Sequence, residues 1–191
     1  MEYTKKALRK YVKEYRSRIK PEEKAIWDKG LLANLKPFHL EKEKVVYAYI
    51  SVNGEAETGP LIEELLSAGV RVAVPLVVKT STDKWLDFYY ITGPDDLEPG
   101  VFGLLEPKKT CRRAMDKNCP VIVPGVAFTR EGGRSGYGGG FYDRLFAAEP
   151  EHKKIAIAYD FQIFPELESD IYDIMMDYIV TPTEVFQRTE E

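Results

Sequence analysis

Seven of the 14 glycines in this chain fall between Pro124 and Arg144, in the run Pro-Gly-Val-Ala-Phe-Thr-Arg-Glu-Gly-Gly-Arg-Ser-Gly-Tyr-Gly-Gly-Gly-Phe-Tyr-Asp-Arg. Glycines let successive backbone amides turn inward and approach an anion closely, and a helix that follows adds its positive N-terminal end. Together these features make a phosphate cradle. Arg134 can supply a permanently charged fork to the same anion. A mobile surface loop is the alternative, but such loops rarely end in an aromatic-acidic-basic run like Tyr142-Asp143-Arg144 before a helix.

The familiar phosphate and nucleophile motifs are absent. No Lys-Ser or Lys-Thr follows the glycines, so the stretch is not a Walker loop. Phe141 stands where the dinucleotide fingerprint needs its third glycine. Tyr137 replaces the last glycine of a serine elbow and no histidine lies nearby, which removes Ser135 as a nucleophile.

Composition narrows the chemistry further. The chain has 191 residues and is 44% hydrophobic, enough for one domain with a sizeable core. Its 27 basic and 31 acidic residues nearly balance, which argues against a nucleic-acid or anionic-membrane partner. Twelve tyrosines and nine phenylalanines are read as core. Cys111 and Cys119 fit no zinc or redox spacing and read as reduced thiols. With only His39 and His152 available, histidine triads and multi-histidine metal sites are nearly excluded, so any metal takes oxygen ligands. The N-terminus lacks the apolar core of a signal peptide and no apolar run is long enough to span a bilayer, so the expected location is the cytoplasm.

The elements that must hold the loop are legible in outline. Leu8, Tyr11, Val12, Tyr15 and Ile19 recur at helical spacing from Lys5 to Ile19, opposite a basic face of Lys6, Arg9, Lys10 and Lys13. Pro21, Glu22 and Glu23 open a second helix that runs to about Leu35. Val45 to Ile50 reads as a buried strand, Thr58 to Ala68 as a helix ending at Gly69, and Val70 to Val74 as a strand before Pro75. Alternation at Leu86, Phe88 and Tyr90 predicts another strand, followed by a loop-rich middle reaching Asn118. Val121 to Val123 enters the glycine loop, a helix spans Phe141 to Ala148, and a strand covers Ile155 to Ala158. Gln187 to Glu191 is expected to fray. Alternating strands and helices predict a single layered α/β domain over residues 1–191, with a largely parallel or mixed central sheet flanked by helices and a ligand outside the strands' carboxyl ends.

Gly133-Arg134-Ser135-Gly136-Tyr137-Gly138-Gly139-Gly140-Phe141-Tyr142-Asp143, preceded by Pro124-Gly125-Val126-Ala127-Phe128, resembles the R-L-G-x-G-x-G-Y-Y-D loop of the 5-formyltetrahydrofolate cyclo-ligases, also called 5,10-methenyltetrahydrofolate synthetases. The resemblance spans nearly the whole chain. It includes Lys5-x-x-Leu8-Arg9, Glu55-x-Glu57-Thr58, Phe102-Gly103 through Glu106-Pro107, and Asp173-Ile174-Met175-Met176-Asp177-Tyr178-Ile179-Val180-Thr181. Ser135 departs from the usual leucine and Phe141 from the usual tyrosine.

The resemblance implies ATP-driven closure of 5-formyltetrahydrofolate to 5,10-methenyltetrahydrofolate, with ATP as co-substrate and Mg²⁺ as metal. It implies catalytic roles for Arg134 and Asp143. ATP contacts are implied for Lys5, Lys6, Ala7, Leu8 and Arg9 and for Arg134, Ser135, Gly136, Tyr137, Gly138, Gly139, Gly140, Phe141 and Tyr142. Folate contacts are implied for Ile50, Glu55, Tyr137, Gly138, Gly139, Gly140 and Phe141. Asp143 and Asp173 are the expected metal ligands, with Asp177 a weaker candidate, and a monomer is expected. Locally, a solvated basic face explains Lys5 and Arg9 equally well, a turn carboxylate explains Glu55, and a helix-start acid explains Asp143. Two other functions stay open at this point: a nucleotide- or folate-binding regulatory module without turnover, and a small-molecule kinase using the same loop.

Overall fold

The computed structural model describes residues 3–52, 54–100 and 104–189. Phe102 and Gly103 of the resemblance therefore lie outside the described residues. Three strands carry the central parallel pairing: β1 (Val45–Tyr47), β2 (Arg71–Lys79) and, after three intervening strands, β6 (Pro120–Val123). The first helices are α1 (Lys5–Arg16), α2 (Pro21–Leu35) and α3 (Gly59–Ser67), and β3 (Lys84–Ile91) folds back on β2. The short ribbons are β4 (Leu97–Pro99) with β5 (Leu105–Pro107), and β7 (Ala127–Phe128) with β8 (Arg134–Ser135). After the glycine loop come α4 (Phe141–Ala148), β9 (Lys153–Ile157), β10 (Tyr178–Val180) and β11 (Val185–Gln187).

Seven strands form one sheet in the order β11-β10-β9-β6-β1-β2-β3. The inner five are parallel, and the edge strands β3 and β11 run antiparallel to their neighbours. The inner strands read as unbroken apolar runs because helices cover both faces. Leu31 and Leu35 of α2 and Leu61, Ile62 and Leu65 of α3 pack against Val46, Val72, Ile122 and Ile155 on one face. Tyr142 and Phe146 of α4 pack against Tyr47, Val121, Val123 and Ala156 on the other. Leu8 and Val12 of α1 close over Val126, Ala127 and Phe164 beside the β7–β8 ribbon.

The connections decide where a ligand can sit. From β1 the chain crosses through α3 to β2 on one side, whereas from β6 it crosses through α4 to β9 on the other. The segments leaving β1 and β6 therefore diverge and leave a crevice at their carboxyl ends, the usual ligand position in such sheets.

Several boundaries differ from expectation. Helix α1 ends at Arg16, three residues before Ile19, where the Ser17 hydroxyl turns back onto the Glu14 carbonyl at 2.8 Å. The ladder of β1 stops at Tyr47, although the Ala48 amide still donates to the Ala73 carbonyl at 2.9 Å. Strand β2 was expected to end before Pro75 and instead continues to Lys79. Its pairing with β1 ends at Ala73, so Pro75 lies where β2 has β3 alone as neighbour and a missing N–H is tolerated. The middle segment holds the β4–β5 ribbon, and Gln187 is paired with Tyr178 rather than frayed.

Ile122, on the central strand β6, has no exposed surface. Ile122→Ala is expected to lower unfolding free energy by about 2–5 kcal/mol in urea melts. A loss below about 1 kcal/mol would contradict the packing described.

Candidate active site

The crevice is a cavity of about 450 Å³, walled by the segment after β1, the glycine loop after β6, one face of α1 and the outer part of the β2–β3 pair. Lys5, Arg9, Ile50, Glu55, Asp143, Asp173 and the continuous run Arg134–Tyr142 all line it. Lys6, Ala7 and Leu8 do not. A helix puts positions i and i+4 on one face, so Lys5 and Arg9 turn toward the cavity while Leu8 enters the core and Lys6 faces solvent. Arg9 accordingly leaves the exposed basic stripe and donates from Nε to the Gly136 carbonyl at 2.8 Å.

Arg134 organises the loop. Its side chain is only 4% exposed, and Nη2 donates to both Asp143 carboxylate oxygens at 2.9 Å. The guanidinium also lies over the Tyr142 ring, 5.6 Å from its centroid. Gly136 packs close beside it: a Cβ there would sit 2.8 Å from Arg134 Nη1 and push against the paired guanidinium. Gly140 caps α4 at φ 63° without any side-chain cap, so the first turn of the helix presents uncapped amides beside the cavity. Arg134, Arg9 and Lys5 thus surround a polar end suited to phosphate.

Carboxylates share that end. Lys5 Nζ pairs with Asp173 at 2.6 Å, and the Ile174 amide donates to Asp143 Oδ1 at 3.3 Å, so the two acids belong to adjoining segments. Among the described residues no group of three or more Asp, Glu, His or Cys side chains converges. A closed protein cage for a metal is thus not formed. The two acids fit a cation that takes one or two carboxylates and completes its shell with substrate phosphate and water. Asp177 is elsewhere, held by the Lys154 amide at 2.7 Å and outside the cavity lining.

Another part of the lining is built around Glu55, a carboxylate 5% exposed. Tyr137 donates its hydroxyl to Oε1 at 2.5 Å and the Val52 amide donates to Oε2 at 3.0 Å. Arg16 Nη1 donates to the Tyr137 hydroxyl, and Nη2 to the Gly125 carbonyl at 3.0 Å. Burial raises the Glu55 pKa, against the lowering effects of these hydrogen bonds and of Arg16. Tyr159 fixes the Glu55 segment from below: its hydroxyl donates to Asp28 at 2.7 Å and to the Glu55 carbonyl at 3.2 Å. Asp28 in turn accepts the Glu57 amide at 3.1 Å and Lys24 at 2.8 Å. Although its hydroxyl is engaged, Tyr137 is 58% exposed and presents a ring surface at the cavity.

Sequence reasoning missed Arg16, Tyr49, Val52, the apolar wall of Pro75, Val77, Leu86, Leu104 and Leu105, and Glu106, whose Oε1 is buried without a partner among the described residues. Ser135, the first departure from the loop pattern, places a buried hydroxyl that has no partner among the described residues where the resembled loop has leucine. Only the apolar alternation of β3 hinted at that wall.

A parallel-centred α/β sheet with a glycine loop and an acid–base cluster at its switch point defines an open α/β class whose ligand sits at the strands' carboxyl ends. Within it, the family model described as the 5-formyltetrahydrofolate cyclo-ligase family matches residues 1–182. The chain belongs to that family of ligases. It is 34% identical over 146 residues to the 5-formyltetrahydrofolate cyclo-ligase of Escherichia coli K12, covering 74% of this chain and 80% of that one. It is 28% identical over 194 residues to a probable 5-formyltetrahydrofolate cyclo-ligase of Caenorhabditis elegans, covering 92% and 91%. The NMR structure of Aquifex aeolicus 5,10-methenyltetrahydrofolate synthetase superposes with a TM-score of 0.83 at 33% identity, covering 98% of this chain and 94% of that one. The corresponding Mycoplasma pneumoniae synthetase shares the fold, with a TM-score of 0.73 at 23% identity and coverage of 93% and 98%.

The raised Glu55 pKa has a stability consequence. The fold favours the protonated acid, so Glu55's contribution is full below the ordinary carboxylate range and is lost as pH rises through its raised value. Glu55→Gln is therefore expected to melt above wild type at neutral pH, with the gap closing toward about pH 4. Thermal melts at both pH values check this, and a gap independent of pH would contradict it.

Proposed function

We propose that the chain closes 5-formyltetrahydrofolate to 5,10-methenyltetrahydrofolate at the expense of ATP. The observation that carries this reading is one cavity whose lining brings Arg134, Arg9, Lys5 and the glycine loop together with buried Glu55 and an apolar wall. Family membership supports the same reaction.

The formyl group on N5 is an amide, and its oxygen is a poor leaving group. In the proposed sequence that oxygen attacks the γ-phosphorus of ATP and ADP departs. The formyl carbon is now joined to phosphate through that oxygen. N10 attacks the carbon, its proton is released, and the C–O bond breaks to expel inorganic phosphate carrying the former formyl oxygen. A C–N bond is formed and no protein nucleophile is consumed.

Positioning and charge stabilisation account for the protein's part. Lys5, Arg9 and Arg134 hold phosphate oxygens, and Asp143 keeps Arg134 in orientation. Glu55 accepts hydrogen bonds from the N–H groups of the pterin, exchanging Tyr137 for the substrate. The exposed ring of Tyr137 and Phe141 border the folate, with Ile50 beside Glu55. Mg²⁺, held by Asp143 and Asp173 together with phosphate oxygens, would supply charge neutralisation at the transferring phosphoryl group.

The direct test follows the absorbance of the methenyl product from purified protein, ATP and 5-formyltetrahydrofolate, with controls lacking ATP or containing EDTA. Product requiring both ATP and metal is expected. Phosphate transfer to unrelated acceptors without folate turnover would favour a small-molecule kinase instead.

Arg134→Ala and Asp143→Ala are each expected to lower kcat by about 100-fold or more. Arg134→Ala also leaves Asp143 without its buried partner, so circular dichroism must verify folding at the assay temperature. Near-wild-type kcat in both folded variants would remove the loop from the mechanism.

A further inference from the structure

A line of hydrogen bonds runs from Arg16, at the end of α1, through Tyr137 of the glycine loop to Glu55. Glu55 lines the cavity and Arg16 does not. A guanidinium stays charged and can only donate, so the Tyr137 oxygen has to accept from Arg16 Nη1. The single proton of that hydroxyl then goes to Glu55 Oε1, 2.5 Å away. At Oε2 the Val52 amide, 3.0 Å away, can also only donate. Both oxygens of Glu55 are therefore acceptors, which is its ionised state.

Burial acts in the opposite direction. Desolvation is the largest influence on Glu55 and raises its pKa, whereas Tyr137, the Val52 amide and Arg16 lower it and Glu57 raises it further. Tyr49, just after β1, and Tyr142, in α4, also face it; burial and the Glu55 charge push their own pKa values up, so both stay neutral. Of these groups Arg16 alone is a cation. Its other terminal nitrogen, Nη2, donates to the Gly125 carbonyl at 3.0 Å, which fixes the guanidinium in place.

We infer that Arg16 is a positioning residue: by donating to Tyr137 it sets the direction of the line and keeps Glu55 a charged, two-oxygen acceptor for the N–H donors of the pterin. The inference rests on the folate reading above for the identity of those donors. A pterin presents neighbouring N–H groups on its pyrimidine ring, which match a carboxylate and meet an opposing O–H when the acid is protonated. Without Arg16 the Tyr137 oxygen is free to accept. Glu55 then takes up a proton and gives its hydrogen bond to Tyr137, and one of its oxygens becomes a donor.

The test replaces Arg16 by Met and by Lys and reads two quantities. The first is the titration of the Glu55 side-chain carboxyl in carbon-13-labelled protein without folate, its NMR signal assigned by its loss in Glu55→Gln. The midpoint is expected to rise by about one pH unit in Arg16→Met, and by less in Arg16→Lys, which keeps a charge and donors. The second is kcat/KM for 5-formyltetrahydrofolate against pH. Its acidic limb is expected to move with the carboxyl, leaving Arg16→Met about tenfold weaker than wild type on that limb and approaching it as pH rises, with little change in KM for ATP. A loss equal at every pH, or a carboxyl midpoint that stays put in Arg16→Met, would overturn the role and reduce Arg16 to a fastening of α1 onto Gly125. A wild type that turns over no 5-formyltetrahydrofolate, while the midpoint still shifts in Arg16→Met, would overturn the folate reading and not the hold of Arg16 on Glu55.

Discussion

A guanidinium almost closed off from solvent cannot stand without an acid, and the pairing of Arg134 with Asp143 is the constraint on which the site depends. Arg134 comes from β8 and Asp143 from the first turn of α4, so the pair spans the glycine run and ties its two ends together. The run between them has to be small. A side chain at Gly136 would collide with Arg134, and Gly140 adopts the left-handed conformation that leaves the start of α4 uncapped. The loop's shape follows from holding one buried cation beside the cavity.

The sheet supplies the second half of the arrangement. Because the crossovers from β1 and β6 depart in opposite directions, the Glu55 segment and the glycine loop face each other across the crevice. Helix α1 bridges them on the outside: Lys5 reaches Asp173, Arg9 reaches Gly136, and Arg16 reaches Tyr137 and Gly125. Tyr137 then links the loop to Glu55 itself. A buried carboxylate whose pKa is pushed upward is costly to keep, and Glu55 lies at the crevice held by Tyr137 and the Val52 amide.

Local patterns made part of this legible before any coordinates. The glycine cluster and the acid and base that end it marked the loop that lines the cavity, whereas the expected contacts from α1 took in Lys6, Ala7 and Leu8, which lie outside the lining that Lys5 and Arg9 share. The strand–helix alternation carried the layered sheet. Other features depend on contacts distant in sequence. The meeting of Arg16, Tyr137 and Glu55 joins three segments that no periodicity connects. The continuation of β2 past Pro75 was obscured because proline ordinarily ends a central strand, and only the departure of β1 at that level removes the objection. With that continuation unrecognised, the apolar wall of Pro75, Val77 and Leu86 was unreadable as one surface.

In the reaction proposed above, ATP activates the formyl oxygen itself. Turnover of 5-formyltetrahydrofolate carrying oxygen-18 in the formyl group, followed by mass spectrometry of the released phosphate, reads out that step. One labelled oxygen in each phosphate is expected. Label in water, with none in phosphate, would rule the step out.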